Sequence, residues 1–440
     1  LLHDWVSTSL SLPTTLDAWL QHLEARNREA IVLGLERVAE VRDRLGLRPT
    51  FPLIAVGGTN GKGSVCAYLE AMLLAAGYRV GCYTSPHLLR YNERVRLDQH
   101  EATDTALVEA LAAVEAARGD IPLTYFEQGT LAAMWLFQRA AVDVAVLEVG
   151  LGGRLDAVNA WDADCAVVTS VDLDHQQFLG NTREAIGFEK AGIFRAGTPA
   201  ICGDADPPAS LLAHARALGA ELLRIGSDIR VELGQGGEVG WSCRIGQKKT
   251  FAALPALAMP GRHQYGNAAC ALAALWSLRE RLPVSMNAVR GGLAVARQPG
   301  RFQVIGRQPL QVLDVAHNPH AARSLAANLA DLPPGGKVIA VCAMLADKDG
   351  AGIVRILQPH IQRWHVAGLD LPRGLSGSGL AGILEAAGCA CTQHVGVAEA
   401  WHAACDEAGP ADTILVFGSF HTVAEVMEAT ARSNRIVENA

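Results

Sequence analysis

Nine consecutive residues, Val56-Gly57-Gly58-Thr59-Asn60-Gly61-Lys62-Gly63-Ser64, constrain this chain more than any other segment. They end an aliphatic run, Pro52–Gly57, that reads as a strand. They open Lys62–Ala76, whose Val65, Leu69, Met72, Leu73 and Ala76 share one helical face before Gly77 stops it. A strand, a glycine turn and a helix in that order make an anion cradle. Backbone N–H groups and the helix N-terminus close around a phosphate, Lys62 reaches the outer phosphates, and the Ser64 hydroxyl can ligate Mg²⁺. A strict Walker A pattern fails, because Val56 and Gly63 occupy two of its fixed positions. The bland alternative is an ordinary glycine turn before a helix. Tyr78–Thr84 reads as the next strand and completes a βαβ unit.

The same rhythm continues. A helix over Gly129–Ala141 leads into the strand Val144–Val149, and Cys165–Ser170 is a further strand, so a parallel sheet covered on both faces is expected. Three short stretches, Arg230–Leu233, Gly240–Ile245 and Lys249–Leu254, break the pattern with glycine-rich turns and read as a small antiparallel appendage. Helices over Asn267–Arg281 and Ser285–Ala296 follow. Gln298-Pro299-Gly300 reads as a linker. Beyond it strand Gln311–Val315, helix Pro319–Leu329, strand Lys337–Cys342 and strand Thr413–Phe417 restart the alternation. The expected fold class is α/β. A P-loop-type parallel-sheet domain with the β appendage spans 1–298, and a smaller Rossmann-like α/β domain spans 299–440.

Composition narrows the function classes. With 440 residues, 50% hydrophobic and 19% charged, the chain has material for large cores and too little charge for a disordered or coiled-coil protein. Its formal net charge of −7, with no basic stripe, argues against nucleic acid as a partner. The ten cysteines form no C-x-x-C pair and sit mostly in apolar runs, so they read as small buried hydrophobes in a reducing compartment. The opening Leu-Leu-His-Asp-Trp does not resemble a signal peptide, and no apolar stretch reaches the length of a membrane span. A cytoplasmic protein without a membrane partner is expected.

Several side chains fall where an open parallel sheet binds ligands, at the C-terminal strand ends. Glu148 is the sole charge in Val144–Val149 and is placed to hold Mg²⁺ opposite the phosphate loop. Asp172-Leu173-Asp174-His175 follows the next strand and shares that edge. Lys190, on a helix over Arg183–Ala191, reads by itself as a solvated lysine. Arg301 follows the linker and offers a fork suited to phosphate. His317, just before Pro319, reads by itself as a residue of a helix N-terminus.

The string Gly-Thr-Asn-Gly-Lys-Gly-Ser resembles the ATP loop of the Mur ligase superfamily, and its Lys-Gly-Ser form resembles the folylpolyglutamate synthase branch. Thr84-Ser85-Pro86-His87-Leu88, Thr124-Tyr125-Phe126-Glu127, Leu147–Asp156, Asp174-His175, Glu189–Ile193, Pro299–Phe302 and Leu313–Pro319 agree in order from about residue 30 to 425. The nearest resemblance is to the bifunctional dihydrofolate synthase/folylpolyglutamate synthase family.

That resemblance implies ATP contacts at Thr59, Asn60, Gly61, Lys62, Gly63, Ser64, Asn267, Arg301 and Asp314. It implies dihydropteroate or folate contacts at Val32, Leu33, Thr124, Tyr125, Phe126, Glu127, Leu155, Asp156 and Ala157. Tyr125 and Phe126 would give flat apolar surface to a pterin, while Glu127 and Asp156 would accept its N–H groups; the alternative makes both aromatics core residues. Mg²⁺ ligation, at two ions, is implied for Ser85, Glu148 and His175 with Ser64 nearby. Lys62, Lys190 and His317 are the implied catalytic residues, Lys190 as a carbamate and His317 in an open chemical role at the cleft. The sequence departs from the family at Asp172, at Gln176-Gln177 and at Val158. The implied activity is that of a monomeric ligase. It adds L-glutamate to dihydropteroate, then γ-linked glutamates to tetrahydrofolates, using ATP and an acyl phosphate. A peptidoglycan ligase would share the loop but not the Ser-Pro-His-Leu and Thr-Tyr-Phe-Glu strings. A monofunctional folylpolyglutamate synthase is the nearer rival. A P-loop switch would leave Glu148, His175 and Asp314–Pro319 without a purpose.

Overall fold

The computed structural model describes residues 12–26, 31–234, 240–333 and 335–438, with backbone alone over 433–438. Aliphatic runs bounded by turns become strands of two sheets. The first contains β1 (Leu53–Gly57), β2 (Val80–Tyr83), β3 (Val95–Leu97), β4 (His100–Glu101), β5 (Val144–Glu148), β6 (Cys165–Val168), β7 (Pro199–Cys202) and β8 (Glu221–Arg224), in the order β4-β3-β2-β5-β1-β6-β7-β8. All neighbours are parallel except β2–β3 and β3–β4, which turn one edge antiparallel. Successive residues face opposite sides, as the pleat requires. Ala55, Ala145 and Leu147 join one core, while Ile54, Val56, Val144 and Val146 join the other.

The second core explains a difference from the sequence reading. The helix was read over Lys62–Ala76 with one apolar face; it spans Lys62–Ala75, and every residue from Gly63 to Leu73 is buried. It is sandwiched between the sheet and the helices Arg262–Ser277 and Met286–Val295. A Cβ on Gly292 would lie 2.6 Å from the Cα of Met72, so only glycine permits that approach. The antiparallel sheet β9 (Ile229–Leu233), β10 (Trp241–Ile245) and β11 (Lys249–Leu254) packs on the same core, its Trp241 ring 5.3 Å from that of Tyr265.

The second sheet contains β12 (Gln303–Arg307), β13 (Leu310–Leu313), β14 (Val338–Cys342), β15 (Arg363–Ala367), β16 (Cys391–His394) and β17 (Thr413–Phe417), ordered β12-β13-β17-β14-β15-β16. It is parallel apart from the edge strand β12 and also carries a core on each face. The molecule is thus two α/β sheet domains with the β appendage on the first. Among the described residues, no helix is long and apolar enough to cross a membrane.

Candidate active site

In the first sheet the order leads away from β1 in both directions, so the loops leaving β1, β5 and β6 meet at one crevice. The loop after β1 is shaped by two glycines with positive φ. A Cβ on Gly58 (φ 143°) would sit 1.9 Å from Thr169 Oγ1, and one on Gly61 (φ 89°) would sit 2.6 Å from Asn267 Oδ1. The Lys62 ammonium folds across the loop and donates to the carbonyls of Gly58 (3.2 Å) and Thr59 (3.4 Å). Ser64 Oγ accepts from Gln264 Nε2 at 3.3 Å, and Gln264 Oε1 accepts from Asn267 Nδ2 at 3.1 Å.

Glu148 ends β5, and its buried carboxylate accepts the Ser85 N–H at 3.2 Å. Burial pushes its carboxyl above the ordinary carboxylate range, against the pull of Lys62, the Ser85 N–H and Arg301. His175 caps the short helix Gln176–Leu179 in the left-handed region, φ 51°, a conformation few non-glycine residues hold without support. Burial, with the charges of Lys348 and Lys62, outweighs Asp174 and lowers the imidazole to about 4, so it presents a neutral nitrogen. Lys190 lies in the last turn of the helix Arg183–Ala191 and is 4% exposed, not solvated. Burial, then the charge of Lys62, brings its amine down to about 7.

The helix Tyr125–Ala140 starts at a capping box: Thr124 Oγ1 accepts the Glu127 N–H, and Glu127 Oε2 accepts the Thr124 N–H at 2.7 Å. The other Glu127 oxygen is paired with Arg37 at 2.7 Å. Its carboxylate therefore serves the helix start, and its capacity to receive a pterin N–H is largely used. Asp156 accepts the N–H groups of Leu151 (2.8 Å) and Val158 (3.0 Å). Burial outweighs these bonds and raises its carboxyl to about 6. Phe126 packs 5.8 Å from Tyr83, ring to ring, and a Cβ on Gly150 would strike it at 2.5 Å.

The second domain closes over this crevice. Asp314, at the end of β13, accepts the N–H groups of Phe302 (2.9 Å) and Ala316 (2.8 Å), which ties Arg301 and His317 to one turn. Arg301 lies over the Phe420 ring at 5.5 Å. Asn60 and Asn318 exchange two side-chain hydrogen bonds, at 3.0 and 3.2 Å, directly between the domains. Together the two domains enclose a cavity of about 530 Å³, and every residue nominated from the sequence lines it, from Val32 and Leu33 through Thr59–Ser64 to Arg301, Asp314 and His317.

The sequence reading missed Asp174 as a hub. Its carboxylate takes Lys348 Nζ at 2.6 Å and Asn318 Nδ2 at 3.0 Å, with His317 Nε2 at 3.6 Å. Burial would raise it, but the hydrogen bond from His317 and the Lys348 ammonium overcome that and hold it well below the usual range. The sequence signal was the pair Asp174-His175. Its basic partner, 174 residues further along, has none.

Comparison with known proteins follows this geometry. The Mur ligase middle domain family matches residues 56–275, and the Mur ligase, glutamate ligase domain family matches 300–420. The dihydrofolate synthase/folylpolyglutamate synthase of Escherichia coli K12 is 48% identical over 421 residues, covering 94% of this chain and 95% of that protein.

This chain belongs to the dihydrofolate synthase/folylpolyglutamate synthase family of Mur ligases.

The family member from Haemophilus influenzae is 41% identical over 437 residues, covering 94% of this chain and 98% of that protein. Among solved structures of the family, E. coli FolC in complex with DHPP and ADP superposes with a TM-score of 0.91 at 47% identity, covering 96% and 99% of the two chains. The Yersinia pestis enzyme complexed with AMPPNP and Mn ion gives 0.88 at 48% identity, covering 95% and 98%. For a synthase of this family, the two-domain cavity supplies what ATP-driven ligation needs: a phosphate loop, a buried carboxylate and a flat-walled compartment in one enclosed space.

Proposed function

We propose that this protein adds L-glutamate to dihydropteroate, forming dihydrofolate, and then adds further γ-linked glutamates to tetrahydrofolates, with ATP as co-substrate. The observation that carries this is the single cavity in which the phosphate loop, Glu148 and the Tyr125–Phe126 wall meet across both domains. The E. coli relative is named for both activities, and its solved complex holds DHPP and ADP.

The chemistry asks for an electrophilic carboxylate and a nearby amine. The γ-phosphoryl group moves to the substrate carboxylate, the glutamate amine attacks the resulting acyl phosphate, and phosphate leaves. Lys62, at the N-terminus of its helix, and Arg301, brought over the loop by the second domain, hold the phosphates and offset their charge. Closure of the domains keeps water from the acyl phosphate. Asp314 buckles Arg301 into place, and Asn267 stands beside Gly61 where the nucleotide lies. Phe126 and Tyr125 face the pterin, Val32, Leu33, Leu155 and Ala157 complete that wall, and Asp156 receives a pterin N–H.

The donor set fits Mg²⁺. Glu148 is a buried carboxylate whose one hydrogen bond among the described residues comes from Ser85. Ser64 and Ser85 hydroxyls and the neutral His175 imidazole line the same cavity. No cluster of three His, Cys, Asp or Glu side chains stands ready for a metal among the described residues, so phosphate oxygens and water would complete the shell. Two such ions would neutralise charge on the transferring phosphoryl group. Lys190 has the burial a carbamate requires: its neutral amine adds CO₂ and loses one proton, and the resulting anion would add an oxygen donor to the set offered to Mg²⁺.

The reading is completed by a domain boundary at residue 298, a monomeric state and a cytoplasmic location. Phosphate release from ATP, with L-glutamate and dihydropteroate, tetrahydrofolate or a UDP-muramoyl peptide offered separately, tests it. Turnover with the first two is expected, and turnover with the muramoyl substrate alone would overturn it.

A further inference from the structure

Glu70 and Arg96 form a largely buried ion pair behind the cavity wall, and the chemistry above gives it no task. Glu70 lies on the helix Lys62–Ala75, which begins at the phosphate loop, and Arg96 lies on β3. Their side chains are 3% and 15% exposed, and Arg96 Nη2 meets Glu70 Oε2 at 2.8 Å. All five guanidinium N–H groups are accepted. Nε and one Nη2 hydrogen go to the Glu70 carboxylate, at 3.1 and 2.8 Å, and the other Nη2 hydrogen goes to Cys82 Sγ at 3.2 Å. Nη1 donates to Thr84 Oγ1 and to the Glu93 carbonyl, both at 3.1 Å. A well-packed apolar pair would stabilise a core as well as an ion pair does, so stability alone does not account for this fork. What it adds is direction.

The directions lead to the metal side of the site. Between Tyr83 and Val95 the chain leaves the sheet as a loop that opens with Thr84-Ser85. Arg96 holds both ends of it, Thr84 at the start and Glu93 at the close. The Glu93 carboxylate in turn accepts the N–H groups of Leu88, Leu89 and Arg90, each at 2.7 Å. Ser85, next to the held Thr84, donates its N–H to Glu148. Ser64 stands six residues before Glu70 on the same helix, about 9 Å along its axis. One side-chain bridge thus joins the helix carrying Ser64 to the loop carrying Ser85. We infer that Arg96, anchored by Glu70, is a positioning residue: it keeps Ser85 and Glu148 in register with the phosphate loop, so that a divalent cation can be shared between them and the nucleotide. This rests on the metal role proposed above for Ser64, Ser85 and Glu148.

The test measures metal binding without turnover, from the EPR signal of free Mn²⁺ titrated onto enzyme saturated with AMPPNP. It compares wild type, R96K and the double variant E70L/R96M, each checked by thermal unfolding. The double variant replaces the pair with apolar side chains of similar length and should melt near wild type. Its affinity for AMPPNP in EDTA should be unchanged, while its Kd for Mn²⁺ should rise about tenfold or more, the scale seen when a group that orients metal ligands is removed. R96K keeps the charge without the fork and should raise that Kd less; it carries the test if the double variant does not fold. Wild-type Mn²⁺ affinity in the folded variant, or a metal-free AMPPNP affinity that falls by the same factor, would overturn the role of Arg96. Unchanged Mn²⁺ binding in both E148Q and S85A would overturn the metal reading instead.

Discussion

Glu148 and Lys190 are the two side chains on which the chemistry leans most, and both are buried ionisable groups at the crevice. Glu148→Gln keeps the shape and removes the anion, so glutamate-dependent ATP turnover should fall at least about a hundredfold while thermal unfolding stays near wild type. Near-normal turnover at ordinary Mg²⁺ would contradict the metal role. Lys190→Ala should lose most activity, and added acetate or propionate should restore part of it by supplying an anion in the vacated space. Failure of rescue, together with no carbamate carbon signal in the ¹³C NMR spectrum of the protein in ¹³C-labelled bicarbonate, would argue against the carbamate. Glu148 was legible as a lone charge at a strand end. Lys190 was not, because helical position alone cannot tell a buried lysine from a solvated one, and what buries it is tertiary packing.

The elements show where local signals suffice and where they fail. The helix Arg183–Ala191 and the strand Thr413–Phe417 follow the sequence reading, since caps and β-branched runs mark them. The helix over Tyr125–Ala140 begins four residues before the expected Gly129, because its capping residues Thr124 and Glu127 lie inside a string read for ligand contacts. The short edge strands β4 and β12 went unread, having little apolar periodicity. The all-round burial of Lys62–Ala75 depends on helices 200 residues away. A prediction belongs at this scale. Glu115, on the helix Asp104–Arg118, binds Arg26 at 2.8 Å, Gln128 at 3.2 Å and also Arg118, joining three helices. Burial would raise its carboxyl, but the bonds from Arg118, Arg26 and Gln128 prevail and lower it from 4.5 to about 2. Its stabilisation is therefore complete above pH 4.5 and fades as pH falls toward 2. Glu115→Gln should cost about 2 kcal/mol at pH 7, with the difference from wild type shrinking in acid urea melts. A difference that persists unchanged at pH 3 would contradict this.

At the scale of the whole molecule, the account depends on two domains meeting at one cavity. Few of those contacts were legible: Arg301, just after the linker, was read as a phosphate contact, whereas Asn60–Asn318 and Asp174–Lys348 join residues too distant in sequence to be paired by pattern. Lys348→Met leaves the Asp174 carboxylate buried with fewer cationic partners, at a cost of about 3 kcal/mol to the closed arrangement. Small-angle scattering of the nucleotide-free variant should show a larger radius of gyration than wild type, and identical scattering would show that the pair does not hold the domains together. The central claim is that ATP phosphorylates the carboxylate of the pteroate substrate inside this cavity. Dihydropteroate labelled with ¹⁸O in its carboxylate, incubated with enzyme, Mg²⁺, ATP and L-glutamate, tests it directly. The account predicts one labelled oxygen in the released inorganic phosphate for each dihydrofolate formed; product formation with unlabelled phosphate, or with the label in AMP, would contradict it.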